Sequence, residues 1–303
     1  MILNIQKQIL ALKKEKDAVI LAHSYQSPEI LEIADEVGDS FALSTVAKKY
    51  PQKTVILCGV KFMAETVKIL SPEKKVILPV EIATCPMAEQ ITPQEVLKFK
   101  EKNPIFKVVA YVNTTAKLKA VCDVCVTSSS ALKIVSKIKE PILFVPDKNL
   151  GSYIKSQLPG KDIILMNGYC PVHDSVTEQD VKTVKERYPD MKIAMHPELP
   201  PQVLQYADYI GSTTGIVDYV SNVKEDVVIG TEKSIADHLN IRYPSRNFPL
   251  LSKSLMCPDM RVTSLMDVYK ALTGKGGLEI EIDEETRLKA KVPIDAMIEL
   301  GKE

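Results

Sequence analysis

The sequence predicts an α/β protein: three similar three-layer α/β/α domains with parallel sheets, in a pseudo-threefold arrangement around a central active site. Three observations predict it. Short runs rich in Val and Ile alternate with amphipathic segments, the pattern of buried parallel strands joined by helices. The dipeptide Cys-Pro recurs at nearly equal intervals, as Cys85-Pro86, Cys170-Pro171 and Cys257-Pro258. Beyond each Cys-Pro a hydroxyl residue is followed, three positions on, by an acid: Thr92 with Glu95, Thr177 with Asp180, and Ser264 with Asp267. Each of these pairs reads as a helix-opening capping box.

The strands expected in order are 18–22, 54–57, 75–79, 107–112, 124–127, 141–145, 162–166, 192–195, 209–212 and 226–230. Helices fit between them. Ser27-Pro28-Glu29 and Thr92-Pro93-Gln94-Glu95 each combine a cap, a proline at the first helical position and an early acid. Laid over one another, the repeats place first-strand ends at His23-Ser24-Tyr25, Tyr111-Val112-Asn113 and His196-Pro197-Glu198. Second strands end near Cys58-Gly59, Thr127-Ser128-Ser129 and Ser212-Thr213-Thr214-Gly215. Third strands end at Pro79, Pro146-Asp147 and Gly230-Thr231-Glu232. This gives three domains: residues 1–84 with a returning tail 258–303, residues 85–169, and residues 170–257. In the tail, Leu278-Glu279-Ile280-Glu281-Ile282 alternates like a half-exposed strand.

The bulk composition narrows the function classes. Lys plus Arg and Asp plus Glu are both 39, so net charge is zero, which argues against a nucleic-acid or anionic-membrane partner. No apolar run reaches the ~18 residues of a membrane helix, and the start, Met1-Ile2-Leu3-Asn4, shows no signal-peptide pattern. Six cysteines in 303 residues are too sparse for a disulfide scaffold and suit the reducing cytoplasm.

Ligands of open α/β sheets sit beyond the carboxyl ends of the strands, and the polar residues above lie there. Cys85, Cys170 and Cys257 offer soft thiolates, which select iron–sulfur clusters, zinc or copper(I). They lack the paired spacing of structural zinc. Three dispersed thiolates suit a 4Fe–4S cluster with one iron unligated by protein. Cys122-Asp123-Val124-Cys125 runs into a strand and reads as structural. Of four histidines, His23, His173 and His196 fall at strand ends or beside Cys170. Glu198, two residues after His196, is a candidate general base. Tyr25, Tyr111 and Asn113 could bind carboxylates or carbonyls. Ser128 and Ser212 sit at strand-to-helix turns suited to anions, as does Gly38-Asp39-Ser40. A hydro-lyase with an open iron, an electron carrier and a zinc hydrolase remain alternatives on these residues alone.

Assembled, these residues closely resemble the quinolinate synthase family of bacterial and archaeal NAD biosynthesis. The likeness rests on Ala22-His23-Ser24-Tyr25, Gly38-Asp39-Ser40, Cys85-Pro86-Met87-Ala88, Tyr111-Val112-Asn113, Thr127-Ser128-Ser129, Gly168-Tyr169-Cys170-Pro171-Val172-His173, His196-Pro197-Glu198, Gly211-Ser212-Thr213 and Met256-Cys257-Pro258. The resemblance implies a cytoplasmic transferase with a 4Fe–4S cluster held by Cys85, Cys170 and Cys257. It implies condensation of iminoaspartate with dihydroxyacetone phosphate, losing phosphate and two waters, and functional coupling to an aspartate oxidase or dehydrogenase. On the family pattern, Glu198 abstracts a proton with help from His196, while Tyr25 and His23 serve isomerisation and the leaving hydroxyl. Tyr111, Asn113, His173, Ser212 and Thr213 match carboxylate-binding positions, and Ser40 and Ser128 match phosphate-binding positions. Two departures stand out. Leu199 occupies a position where many relatives carry cysteine, and Cys257-Pro258-Asp259-Met260 lacks a second cysteine for a disulfide switch.

Overall fold

A computed structural model describes residues 2–302. Among them, twelve strands run in chain order: β1 (Ala18–His23), β2 (Glu36–Gly38), β3 (Thr54–Cys58), β4 (Lys75–Leu78), β5 (Lys107–Tyr111), β6 (Val124–Val126), β7 (Ile142–Val145), β8 (Ile163–Leu165), β9 (Lys192–Met195), β10 (Tyr209–Ile210), β11 (Val227–Gly230) and β12 (Leu278–Glu279). They form three sheets. The chain divides into two compact units. The first comprises residues up to Ala88, Asn113–Ala120 and Pro258–Lys291; the second comprises Glu89–Val112, Val121–Cys257 and the stretch from Val292 onward.

The first unit holds the sheet ordered β12-β4-β3-β1-β2. Strands β1 to β4 are parallel. All six residues of β1 are buried, which is why it reads as an unbroken apolar run rather than an alternation. The tail strand β12 pairs antiparallel with β4, Leu278 opposite Leu78, as the alternation in the tail suggested. The second unit holds the sheets ordered β6-β5-β7-β8 and β10-β9-β11, all parallel pairs. A parallel bridge from Ile229 to Leu250 adds a vestigial fourth position outside β11. The stretch from Val292 onward belongs to this unit, where Lys133 and Lys137 donate to the carbonyls of Gly301 and Leu300.

Set side by side, the sheets share one order: second strand, first, third, fourth. This revises the expected overlay of repeat one. Its second strand is the short β2, and the strand ending at Cys58 is its third. Each repeat therefore has four strand positions rather than three. A recurring hydrogen bond fixes the alignment. Asp35, Asp123 and Asp208 each stand immediately before the second strand, and each accepts the backbone N–H of a first-strand residue. The donors are Ile20 at 2.8 Å, Val108 at 2.7 Å and Ile193 at 2.9 Å. Strand β2 escaped the apolar-run criterion because its three residues are not buried.

All three expected capping boxes form. Thr92, Thr177 and Ser264 each accept the N–H of the acid three residues on, and that acid reaches back to the cap. Each Cys-Pro opens a single helical turn with its proline, at Pro86–Glu89, Pro171–Asp174 and Pro258–Arg261. Proline suits that place because its missing N–H would have no helical partner there.

Candidate active site

The second unit carries a polar cluster built where β5, β7, β9 and β11 end. His196 directly follows β9, with Glu198 two residues on, and both are buried. The Nδ1 of His173 lies 3.0 Å from Glu198 Oε2 and 3.2 Å from Cys170 Sγ. Its Nε2 meets the Thr231 hydroxyl at 3.2 Å. A nitrogen facing both a carboxylate and a sulfur acts as the proton donor, so His173 carries its proton on Nδ1. The rings of His173 and His196 lie 5.2 Å apart. Tyr111, the last residue of β5, hydrogen-bonds Glu198. Donor atoms of Cys170, His173 and Glu198 all lie within 4.8 Å of one another, close enough to hold a metal ion.

Electrostatics follow from burial. Burial pulls the His196 imidazole down to about 4, with the Glu198 charge opposing it and His173 reinforcing it, so His196 is neutral near pH 7. For Glu198, burial pushes upward. His196, His173 and the hydrogen bonds from His173 and Tyr111 outweigh it and hold the carboxyl below the ordinary range. Being neutral near pH 7, His196 adds no charge attraction there. Asp147 moves the other way, raised by burial first and by the Glu198 charge second.

In the first unit, His23 ends β1, and burial depresses it to about 4 against the opposing pull of Asp39. Its Nδ1 accepts the backbone N–H of Tyr25 at 3.1 Å, and the two rings meet edge to face at 4.5 Å. His196 repeats the device, its Nδ1 accepting the Glu198 N–H at 3.4 Å. In both histidines Nε2 is therefore the protonated nitrogen of the neutral ring.

The remaining expected residues all follow strand ends. Ser40 opens the helix Ser40–Val46 behind the cap Asp39, after β2. Ser128 follows β6, in a turn where the Thr127 hydroxyl bonds those of Ser129 and Ser130. Ser212 caps the helix Thr213–Asn222 after β10, accepting the Gly215 N–H at 3.1 Å, and Thr213 is that helix's first residue. Thus Tyr111, Cys170, His173, His196 and Glu198 form one bonded cluster. Ser128, Ser212, Thr213 and Cys257 belong to the same unit, while His23, Tyr25, Ser40, Cys85 and Asn113 belong to the other.

The cysteines divide as the Cys-Pro pattern does. Cys85, Cys170 and Cys257 are part-exposed, whereas Cys58, Cys122 and Cys125 are buried. Burial lifts the Cys58 thiol to about 12, so it stays protonated and inert. Part-exposed thiols at Cys85, Cys170 and Cys257 are soft donors of the kind an iron–sulfur group takes.

The profile of the family described as quinolinate synthetase A protein matches residues 7–299. The chain belongs to that family. Curated relatives called quinolinate synthase agree from end to end. That of Clostridium acetobutylicum is 45% identical over 302 residues, covering 99% of both chains. Those of Alkaliphilus metalliredigens and Caldicellulosiruptor bescii are 46% and 43% identical, each covering 98% of both chains. Within this chain, the sequence analysis assigned no role to four residues near these groups. Asn149 donates to the Glu198 carbonyl at 3.1 Å and to Asp174 at 2.8 Å. Thr231 meets His173. Asp147 and Glu232, both fully buried, accept N–H groups of Cys170 and Cys257. The signal available for Asp147, Thr231 and Glu232 was their place at third-strand ends, level with the histidines.

Proposed function

We propose that the chain is a quinolinate synthase, condensing iminoaspartate with dihydroxyacetone phosphate to quinolinate, with loss of phosphate and two waters, for de novo NAD biosynthesis in the cytoplasm. The observation that carries this reading is the buried Tyr111–Glu198–His173–Cys170 chain of hydrogen bonds in a member of that family. We assign Cys85, Cys170 and Cys257 as ligands of a 4Fe–4S cluster. The three domains, 1–84 with 258–303, 85–169 and 170–257, are set around a pseudo-threefold axis, and the three cysteines stand at the boundaries between them. When bound, such a cluster supplies a Lewis-acidic iron to a substrate oxygen.

The chain's own residues do the rest. Glu198 is the proton acceptor: it is buried, oriented by His173, and flanked by a neutral His196 whose Nε2–H can donate to a developing oxyanion. His23, also neutral with its proton on Nε2, works with Tyr25 to return protons during isomerisation and loss of hydroxyl. Tyr111, Asn113, Ser212 and Thr213 receive substrate carboxylates, and His173, matched to the same set by the family pattern, joins them when substrate displaces its Glu198 contact. Ser40 and Ser128, at second-strand ends, receive the phosphate. An aspartate oxidase or dehydrogenase would supply the unstable imine.

Anaerobic purification with iron and sulfide analysis and a quinolinate assay tests this reading. Glu198→Gln is expected to lower kcat by roughly 10²–10⁴ while iron and sulfide content stay at the wild-type level. Near-normal turnover would remove Glu198 from the base role. A second reading draws on the Cys170–His173–Glu198 cluster, which could hold a single zinc ion. Zinc without sulfide would favour it.

A further inference from the structure

Two of the three Cys-Pro cysteines are tied to the scaffold in the same way. In repeat two, β7 is followed by Pro146, then Asp147, then the helix Lys148–Gln157. In repeat three, β11 is followed by Thr231, then Glu232, then the helix Lys233–Arg242. Asp147 and Glu232 thus occupy equivalent positions, and both are fully buried. Each divides its carboxylate between two tasks. Asp147 Oδ1 caps its helix by accepting the N–H groups of Asn149 and Leu150 at 2.8 Å, and Oδ2 accepts the N–H of Cys170 at 3.2 Å. Glu232 Oε2 caps its helix through Ser234 at 2.7 Å, and Oε1 accepts the N–H of Cys257 at 3.3 Å. Repeat one places Val60 there, between β3 and the helix Lys61–Leu70, and a valine side chain accepts nothing.

Resting on the cluster reading above, we infer that Asp147 and Glu232 are matched positioning residues that preset Cys170 and Cys257 for metal, leaving Cys85 outside this device. Each carboxylate joins a cysteine to the end of the third strand of its own repeat. Holding the cysteine N–H fixes the backbone from which Sγ projects, so less freedom is lost when the thiolate takes iron. Residues that hold metal ligands in this way typically contribute 10–100-fold to metal affinity.

The two tasks can be separated. Asp147→Asn and Glu232→Gln keep one oxygen for the helix cap and turn an NH₂ group toward the cysteine N–H. The measurement is the anaerobic rate of iron release to excess chelator from reconstituted protein, beside the melting temperature of the metal-free protein. The expected result is release at least ~10-fold faster in both variants, an effect larger than the fall in metal-free stability that an NH₂ group facing a buried N–H brings. Wild-type release rates in either variant would overturn the inference. So would faster release accompanied by an equal fall in metal-free stability, which would make both carboxylates helix caps only. A wild-type protein that takes up no iron and sulfide overturns the cluster reading as well. A wild-type cluster with indifferent variants overturns this inference alone.

Discussion

His23 and His196 are each bonded through Nδ1 to a backbone N–H two residues on, and each is buried to within a few per cent. That arrangement makes them neutral donors and gives the fold a pH dependence. In the unfolded chain a histidine titrates near 6.5, whereas folded His23 titrates at about 4. As pH falls from 6.5 toward 4, protons bind the unfolded chain first, so stability is lost across that window. A shift of this size corresponds to at most about 3 kcal/mol. Apparent melting temperature should therefore fall between pH 6.5 and 4.5, and His23→Gln should flatten that fall. An unchanged slope in the variant would show that His23 is not held neutral. The catalytic candidates were legible as residues because imidazole, carboxylate and thiol at strand ends have few other uses. Asp147 and Glu232 were not, since a strand-end acid before a helix also reads as an ordinary cap.

At the scale of elements, the capping boxes were the clearest signals in the chain, because both halves of each lie within four residues. Thr177→Ala removes the acceptor for the Asp180 N–H at 3.3 Å. The expected cost is about 1 kcal/mol in urea unfolding, with iron content untouched. A loss within error would mean that the Asp180 contacts alone secure the helix start. The strands buried on both faces were equally plain. β2 was missed because three part-exposed residues form no apolar run. Its signature is instead a small residue and an aspartate before a short strand, in Ala34-Asp35, Cys122-Asp123 and Ala207-Asp208. Those aspartates lock the first strand to the second through a side chain, which periodicity does not register.

At the scale of the whole molecule, three sheets of one order each supply one part-exposed cysteine after the fourth strand position. If all three serve one cluster, their loss is not additive. Cys85→Ala, Cys170→Ala and Cys257→Ala should each abolish bound sulfide, and the triple variant should be no worse. Cys58→Ala, Cys122→Ala and Cys125→Ala should keep the cluster. Sulfide retained after loss of any one of the first three would remove that residue from the ligand set. The threefold sequence repeat foretold three sheets. It understated the strand number of repeat one, where β2 is too short and exposed to announce itself, and of repeat three, whose fourth position is a single bridge at Leu250.

The antiparallel strand β12 has a further consequence for biosynthesis. It covers the open ladder of β4, yet Leu278 leaves the ribosome about two hundred residues after its partner Leu78. Throughout that interval the nascent chain carries a bare edge with Val76 and Ile77 beside it, a ready template for pairing with a neighbouring chain. Messages cut short before the last few dozen codons would yield products that clump, even with Cys85, Cys170 and Cys257 already made.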